Sequence, residues 1–157
     1  MGRALLKRLR QSRVEDLAQE AVLGLLVAAA EVRGRLERAC ERHGITVGQY
    51  NVLRILRGHR EGYPRREILA RVIDRAPDVT RLIDRLERQG LVERARGTRD
   101  RRQSITRIGP RGLELLDRMR PAVEREHAAL RLRLSAREAR TLVRLCDRLI
   151  PSDEERA

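Results

Sequence analysis

Between Val14 and about Arg42 the apolar residues Val14, Leu17, Ala21, Val22, Leu25, Ala28, Val32, Leu36 and Ala39 recur in steps of three and four. That spacing predicts a long amphipathic helix, which Gly44 ends. Thr46 with Gln49 three residues later has the form of a capping box, and Val47, Val52, Leu53 and Leu56 make a second helix that closes at Gly58. The stretch from His59 to Gly62 reads as loop. Pro64 suits the first turn of a third, short helix whose inner face is Ile68, Leu69, Val72 and Ile73. After the turn Asp74-Arg75-Ala76, Pro77 opens a fourth helix, Asp78 sits well against its N-terminal dipole, and Gly90 ends it. Two short helices joined by so tight a turn form a helix-turn-helix pattern.

Beyond Gly90 the period changes. Leu91, Val92, Ile105 and Ile108 flank a polar middle with Gly97, Thr98 and Asp100, which predicts two strands around a basic hairpin. Gly109-Pro110 begins another long helix carrying Leu113, Leu116, Met119, Val123 and Leu130. Pro121 inside it is expected to kink it, because proline lacks the backbone donor and crowds the carbonyl of Asp117. Ser135 with Glu138 forms a second capping box before a final helix with Leu142, Leu145, Cys146, Leu149 and Ile150, after which come Pro151 and an acidic tail. No internal repeat or low-complexity linker interrupts the series.

Composition narrows the function. At 157 residues the chain has the size of one domain, so its apolar stripes are expected to share one packing scheme. The net charge is +13 and nearly all the positive charge is arginine, which favours a polyanionic partner, nucleic acid ahead of a membrane surface. An arginine-rich coding bias on solvated helix faces is the plainer reading of the same number. With no Phe and no Trp, the core must be aliphatic, which suits packed helices. Tyr50 and Tyr63 alone make no stacking platform for single strands. Cys40 and Cys146 lie far apart without metal-ligand spacing, so neither a disulfide framework nor a zinc site is expected, and a reducing cytoplasm is the simplest compartment. The apolar run 21–30 is too short to cross a bilayer, and Lys7, Arg8 and Arg10 interrupt Leu5, Leu6 and Leu9, so no signal peptide or membrane span is expected.

The placement of the arginines decides between these readings. On the fourth helix Val79, Leu82, Ile83 and Leu86 share a face that can be buried, while Arg81, Arg85 and Arg88 share another. Such a helix can offer Thr80, Arg81 and Arg85 to a major groove, where an arginine fork matches guanine O6 and N7. A surface helix stabilised by pairing among Arg81, Asp84, Arg85 and Arg88 is the competing reading. In the hairpin, Arg94, Arg96, Arg99, Arg101, Arg102 and Arg107 have only Asp100 nearby in sequence, so the cluster is expected to need phosphates. In an extended strand Asp100 and Arg102 point the same way, so the carboxylate can orient the guanidinium as a minor-groove probe.

The run DVTRLIDRLERQGLVERARGTRDRR, followed by Pro110-Arg111-Gly112, resembles the MarR-type winged-helix signature over about residues 45–119. Ile108-Gly109 stands where that family usually has Leu-Thr, and glycine replaces threonine at an N-cap at modest cost. The resemblance implies a mainly α fold class with a small β-hairpin wing, and a single domain over residues 1–157. A winged helix-turn-helix lobe would span 45–109, and helices at 14–43 and 110–150 would hold a symmetric homodimer. It implies double-stranded DNA as partner, as a pseudo-palindromic operator, with Thr80, Arg81 and Arg85 at the major groove and Pro77 and Asp78 also among the DNA-binding residues. Arg99, Asp100, Arg101 and Arg102 would lie on the wing, with Arg102 in the minor groove.

The resemblance also implies a sensing half, for MarR-like proteins bind small aromatic or phenolic effectors or oxidise a cysteine. Tyr50 and His127 are the candidates for an effector pocket. Cys40, with His43 one helical turn on, is the redox candidate, but the peroxide-sensing branch carries its cysteine near the start of the first helix, so a buried apolar role is preferred for Cys40 and also for Cys146. Cys40 and His43 lack further ligands at compatible spacing, so no metal is expected. No nucleophile with a base, carboxylate pair or phosphate-cradling loop stands out, so neither enzymatic activity nor a cofactor is expected. The expectation is thus a sequence-specific transcriptional regulator, most often a repressor in such a family, released by an effector. The alternatives are an architectural or protein-docking winged helix with little sequence preference, and a cysteine-based redox regulator.

Overall fold

A computed structural model describes residues 3–10, 12–13, 16–74, 78–96 and 104–151. In chain order it contains α1 (Arg3–Leu9), α2 (Leu17–Glu41), α3 (Val47–Arg57), β1 (Tyr63–Pro64), α4 (Arg65–Arg71), α5 (Val79–Arg88), β2 (Val92–Arg96), β3 (Ser104–Ile108), α6 (Pro110–Arg131) and α7 (Ala136–Leu149). The fold is mainly helical with a small antiparallel sheet, as expected.

Local chemistry explains where the helices start. The carboxylate of Asp16 accepts from the backbone N–H of Gln19 at 2.9 Å, so α2 begins at Leu17; Val14, the first residue of the expected stripe, lies outside the described residues. Both capping boxes form: Thr46 and Gln49 exchange hydrogen bonds ahead of α3, and Ser135 and Glu138 do so ahead of α7. The bond from Ser135 holds the Glu138 carboxyl below its ordinary pKa. Pro64 is the N-cap of α4, in extended conformation with φ −61° and ψ 151°, one step ahead of the first turn where it was expected. That conformation lets Tyr63 and Pro64 pair with Thr106 and Ile105, so the sheet has three strands in the order β1-β3-β2 where the sequence pattern showed two. The register of the hairpin pairs Val92 with Ile108 and Arg96 with Ser104.

The chain divides into two compact units between Arg120 and Pro121. In the first, one core gathers Cys40 and Ile45 with Val52, Leu53 and Leu56 of α3, Ile68 of α4, Val79, Ile83 and Leu86 of α5, Leu91 and Val92, and Leu115, Leu116 and Met119 of α6. The inner face expected for α4 is only partly right. Ile68 is buried, whereas Leu69, still inside the helix, is 48% exposed, and Ile73 is 71% exposed because Val72 is already extended and the helix ends before it. At the end of α5, Gly90 takes φ 67°, the left-handed turn that lets Leu91 N–H reach the Leu86 carbonyl at 2.9 Å and sends the chain into β2. α1, which the sequence pattern did not show, lies on α2 through Leu5 at Gly24 and an Arg8–Glu31 ion pair of 3.5 Å.

In the second unit the helical assignment of α6 continues through Pro121. Glu124 pairs with Arg131 and lies 3.5 Å from His127 Nδ1, which keeps its carboxyl below the ordinary value, the hydrogen bond from Arg131 contributing most. α7 buries no residue, and Leu142, Leu145 and Leu149 on its apolar stripe are 43%, 50% and 66% exposed. Cys146 on this stripe is half-buried, not core as expected, because the stripe has no cover within one chain.

Gly112 marks a close approach. A Cβ there would stand 2.3 Å from the Leu91 carbonyl oxygen and 2.8 Å from Ile108 Cγ1, so the first turn of α6 fits over the strands only with glycine. Gly112→Ala should therefore cost about 1–3 kcal/mol, the range for overpacking a site bounded by backbone. Urea unfolding measures this, and a variant as stable as the parent would show that the approach is looser than described.

Candidate nucleic-acid interface

The amphipathic face of α5 divides its residues as the sequence predicts. Val79, Ile83 and Leu86 are buried, Leu82 is half-buried against Gly48, and Arg81, Arg85 and Arg88 are exposed. Asp78 is the N-cap, its carboxylate accepting from Arg81 N–H at 3.2 Å, and the same carboxylate draws Arg81 Nε to 3.0 Å. Arg88 Nε donates back to the Asp84 carbonyl at 3.3 Å. Among the described residues no ion pair involves Arg85, whose fork therefore stands off the helix without a protein partner. Thr80 is half-buried and its Oγ1 accepts from Arg65 Nη1 at 2.9 Å.

The hairpin corrects one expectation. Arg94 and Arg107 do have protein partners: Arg94 pairs with Asp84 and brings Nε to 3.1 Å from Glu87 Oε2, and Arg107 Nε donates to the Glu61 carbonyl at 2.8 Å with the carboxylate at 3.4 Å. Tertiary folding brings up carboxylates that are seven to 46 residues away in sequence. Arg94 thereby ties β2 to the exposed flank of α5, so strand and helix are oriented together. Pro77, Arg99, Asp100, Arg101 and Arg102 lie outside the described residues, as do the Asp100–Arg102 geometry and the turn residues Arg75 and Ala76.

A second contact joins α2 to Asp74, just past the end of α4. Arg33 donates from Nη1 and Nη2 to the two carboxylate oxygens of Asp74, both at 2.8 Å, and from Nε to Glu37 at 3.1 Å. The bond from Arg33 holds the Asp74 carboxyl below its ordinary range. A cleft of about 360 Å³ opens beside this pair, between Glu41, Thr46 and Leu82. Neither Arg33–Asp74 nor Arg65–Thr80 was legible beforehand, since partners 41 and 15 residues apart carry no local pattern. Tyr50 packs half-buried against the core of the first unit, and burial pushes its hydroxyl pKa up. His127 is exposed on α6 in the second unit, beside Glu124. Cys40 is fully buried, as the preferred reading had it. Among the described residues no cluster of ligating side chains could hold a metal ion, and no helix is long and apolar enough to cross a membrane.

A helix with one buried and one arginine-bearing face, tied to a two-stranded wing and preceded by a short capped helix, is a winged helix-turn-helix. A sequence profile of the MarR family matches residues 45–104. A protein of Thauera aromatica described as a transcriptional regulator for the hcr operon is 30% identical over 112 residues, 71% of this chain and 67% of its own length. The crystal structure of a MarR transcription factor from Planctomyces limnophilus is 36% identical, covers 86% of this chain and 98% of its own, and superposes with a TM-score of 0.64. The chain belongs to the MarR family. It is accordingly a DNA-binding transcriptional regulator with the winged-helix fold. A further crystal structure, of the PcaV transcriptional regulator from Streptomyces coelicolor in complex with its natural ligand, is 25% identical with a TM-score of 0.68 over 87% of this chain and 96% of its own.

Burial raises the Cys40 thiol to about 11, with Glu37 and Glu41 adding smaller contributions. Its folded value lies above the ordinary one, so its stabilising contribution is complete below about pH 9 and is lost as the pH rises towards 11. At pH 8 an alkylating reagent should spare Cys40 until the chain is unfolded. Modification of Cys40 in the native protein as fast as in the unfolded chain, or loss of DNA binding to peroxide that Cys40→Ser abolishes, would overturn the assignment of Cys40 to the core.

Proposed function

We propose that this regulator is a homodimer that binds a pseudo-palindromic operator sequence-specifically, acts as a repressor in the cytoplasm, and leaves the operator when a small aromatic effector binds. One observation carries the sequence-reading part. Arg85 projects from α5 opposite the buried stripe of Val79, Ile83 and Leu86, with no ion pair among the described residues, as a side chain that must reach a base edge requires. Thr80 and Arg81 accompany it at the major groove beside Pro77 and Asp78, and Arg99, Asp100, Arg101 and Arg102 are assigned to the wing at the minor groove.

The dimer is supported by apolar surface in each unit. On α2, Leu17, Val22, Leu25, Leu26 and Val32 are between 44% and 81% exposed, and α7 exposes the stripe already described. A second copy provides the cover that these stripes lack in one chain. The effector part rests on the relative solved with its natural ligand, with Tyr50 and His127 as the candidate contacts. No enzymatic step is assigned to the chain, since its relatives are regulators.

Selection of bound duplexes from a random pool should return dyad-symmetric sites with half-sites about 34 Å apart, one helical turn. Sedimentation should give a dimer at micromolar concentration. A monomer, or sites without dyad symmetry, would contradict the shared-dimer architecture. An architectural protein would instead hold its best duplex less than roughly a thousandfold above random DNA at physiological salt.

Within that frame Arg85→Ala should cost about 1–3 kcal/mol on the operator and relax one position per half-site, with a smaller loss on random DNA. Arg102→Ala should weaken binding most at A·T-rich flanks, and Asp100→Ala should reproduce part of that effect. Salt titration on both duplexes separates the contributions. Equal losses on operator and random DNA would show that neither arginine reads sequence.

A further inference from the structure

Arg65, the first residue of α4, donates from Nη1 to Thr80 Oγ1 at 2.9 Å, bridging the two helices of the helix-turn-helix. A threonine hydroxyl has one proton and two lone pairs, whereas a guanidinium has donors only. The hydroxyl is therefore the acceptor in this contact, and its own proton remains to be donated elsewhere. Inside a helix that proton commonly goes to the carbonyl four residues back. Thr80 is the second residue of α5, so this helix itself supplies no carbonyl four residues back.

Two other arginines around α5 are turned to carboxylates: Arg81 to Asp78, and Arg94 to Asp84 and Glu87. Among the described residues Arg65 has no ion pair, and its undiminished charge polarises the hydroxyl it holds, making the remaining proton a better donor.

We propose that Arg65 is a positioning residue for base recognition: by occupying one of the two lone pairs of Thr80 Oγ1 and polarising its O–H, it biases this hydroxyl towards donation. A base facing Thr80 is then favoured when it presents an acceptor in the major groove, which is purine N7, guanine O6 or thymine O4, over cytosine with its N4 amino group. The inference rests on the DNA-reading role proposed for α5 and adds what one of its side chains reads.

The test uses the full-length protein and its Arg65→Ala, Thr80→Val, Thr80→Ser and doubly substituted Arg65→Ala/Thr80→Val forms. Each selects duplexes from a random pool, and base frequencies are compared position by position. Arg65→Ala and Thr80→Val should relax preference at the same position of each half-site by about two- to tenfold, the net worth of one hydrogen bond. The double variant should relax it no further, and Thr80→Ser, which keeps the hydroxyl, should preserve it. If Arg65→Ala lowers affinity for all sequences alike and leaves that preference intact, Arg65 contacts only phosphate and the proposal fails, as it does if Thr80→Ser loses the preference. If the unmodified protein selects no motif, the sequence-reading role of α5 fails and this inference with it.

Discussion

The apolar face of α5 is the constraint on which the rest of the arrangement depends. Val79, Ile83 and Leu86 enter the same core as Val52, Leu53 and Leu56 of α3 and Leu115, Leu116 and Met119 of α6. Each such side chain contributes about 1.5–3 kcal/mol by leaving water. With that face held, the helical period leaves no choice about which way Arg81, Arg85 and Arg88 project. Stability and recognition are thus two sides of one helix.

The ion pairs around α5 act on its orientation more than on stability. Arg94 with Asp84 and Glu87, and Arg33 with Asp74, join partly exposed side chains, and such pairs are worth about 0–1 kcal/mol. Their geometry has more consequence than their energy. Arg94 fixes β2 against the flank of α5, and the two-pronged contact of Arg33 fixes Asp74, just past α4, against α2. In a chain of net charge +13, the few carboxylates near the helix are spent on positioning arginines, which leaves Arg85 unengaged among the described residues.

Much of this was legible beforehand because it is written in local chemistry. The period of three and four along α2, the capping boxes at Thr46 and Ser135, the turn at Gly90 and the two faces of α5 each depend on residues within one or two helical turns. The rest depends on residues brought together by folding. β1 is two residues long, too short to alternate, and exists only because β3 lies beside it. Ile73 continues an apolar period that α4, ending at Arg71, does not continue, and Gly112 looks like an ordinary helix-start glycine until the Leu91 carbonyl is placed against it. Arg94 and Arg107 looked like phosphate ligands because their carboxylates are distant in sequence. Arg65 carried no signal at all, since its meaning lies in the hydroxyl of Thr80.

Hydrogen exchange of the protein with and without a selected duplex bears most directly on the division of α5 into a packed and a reading face. Bound DNA should slow exchange at the first turns of α4 and α5 and along residues 92–108, while α3 and the core turns of α6, protected by the same apolar packing in both states, should change little. Slowing confined to α2 or α7, with α5 unaltered, would place the nucleic acid elsewhere and contradict the assignment of α5 as the reading helix.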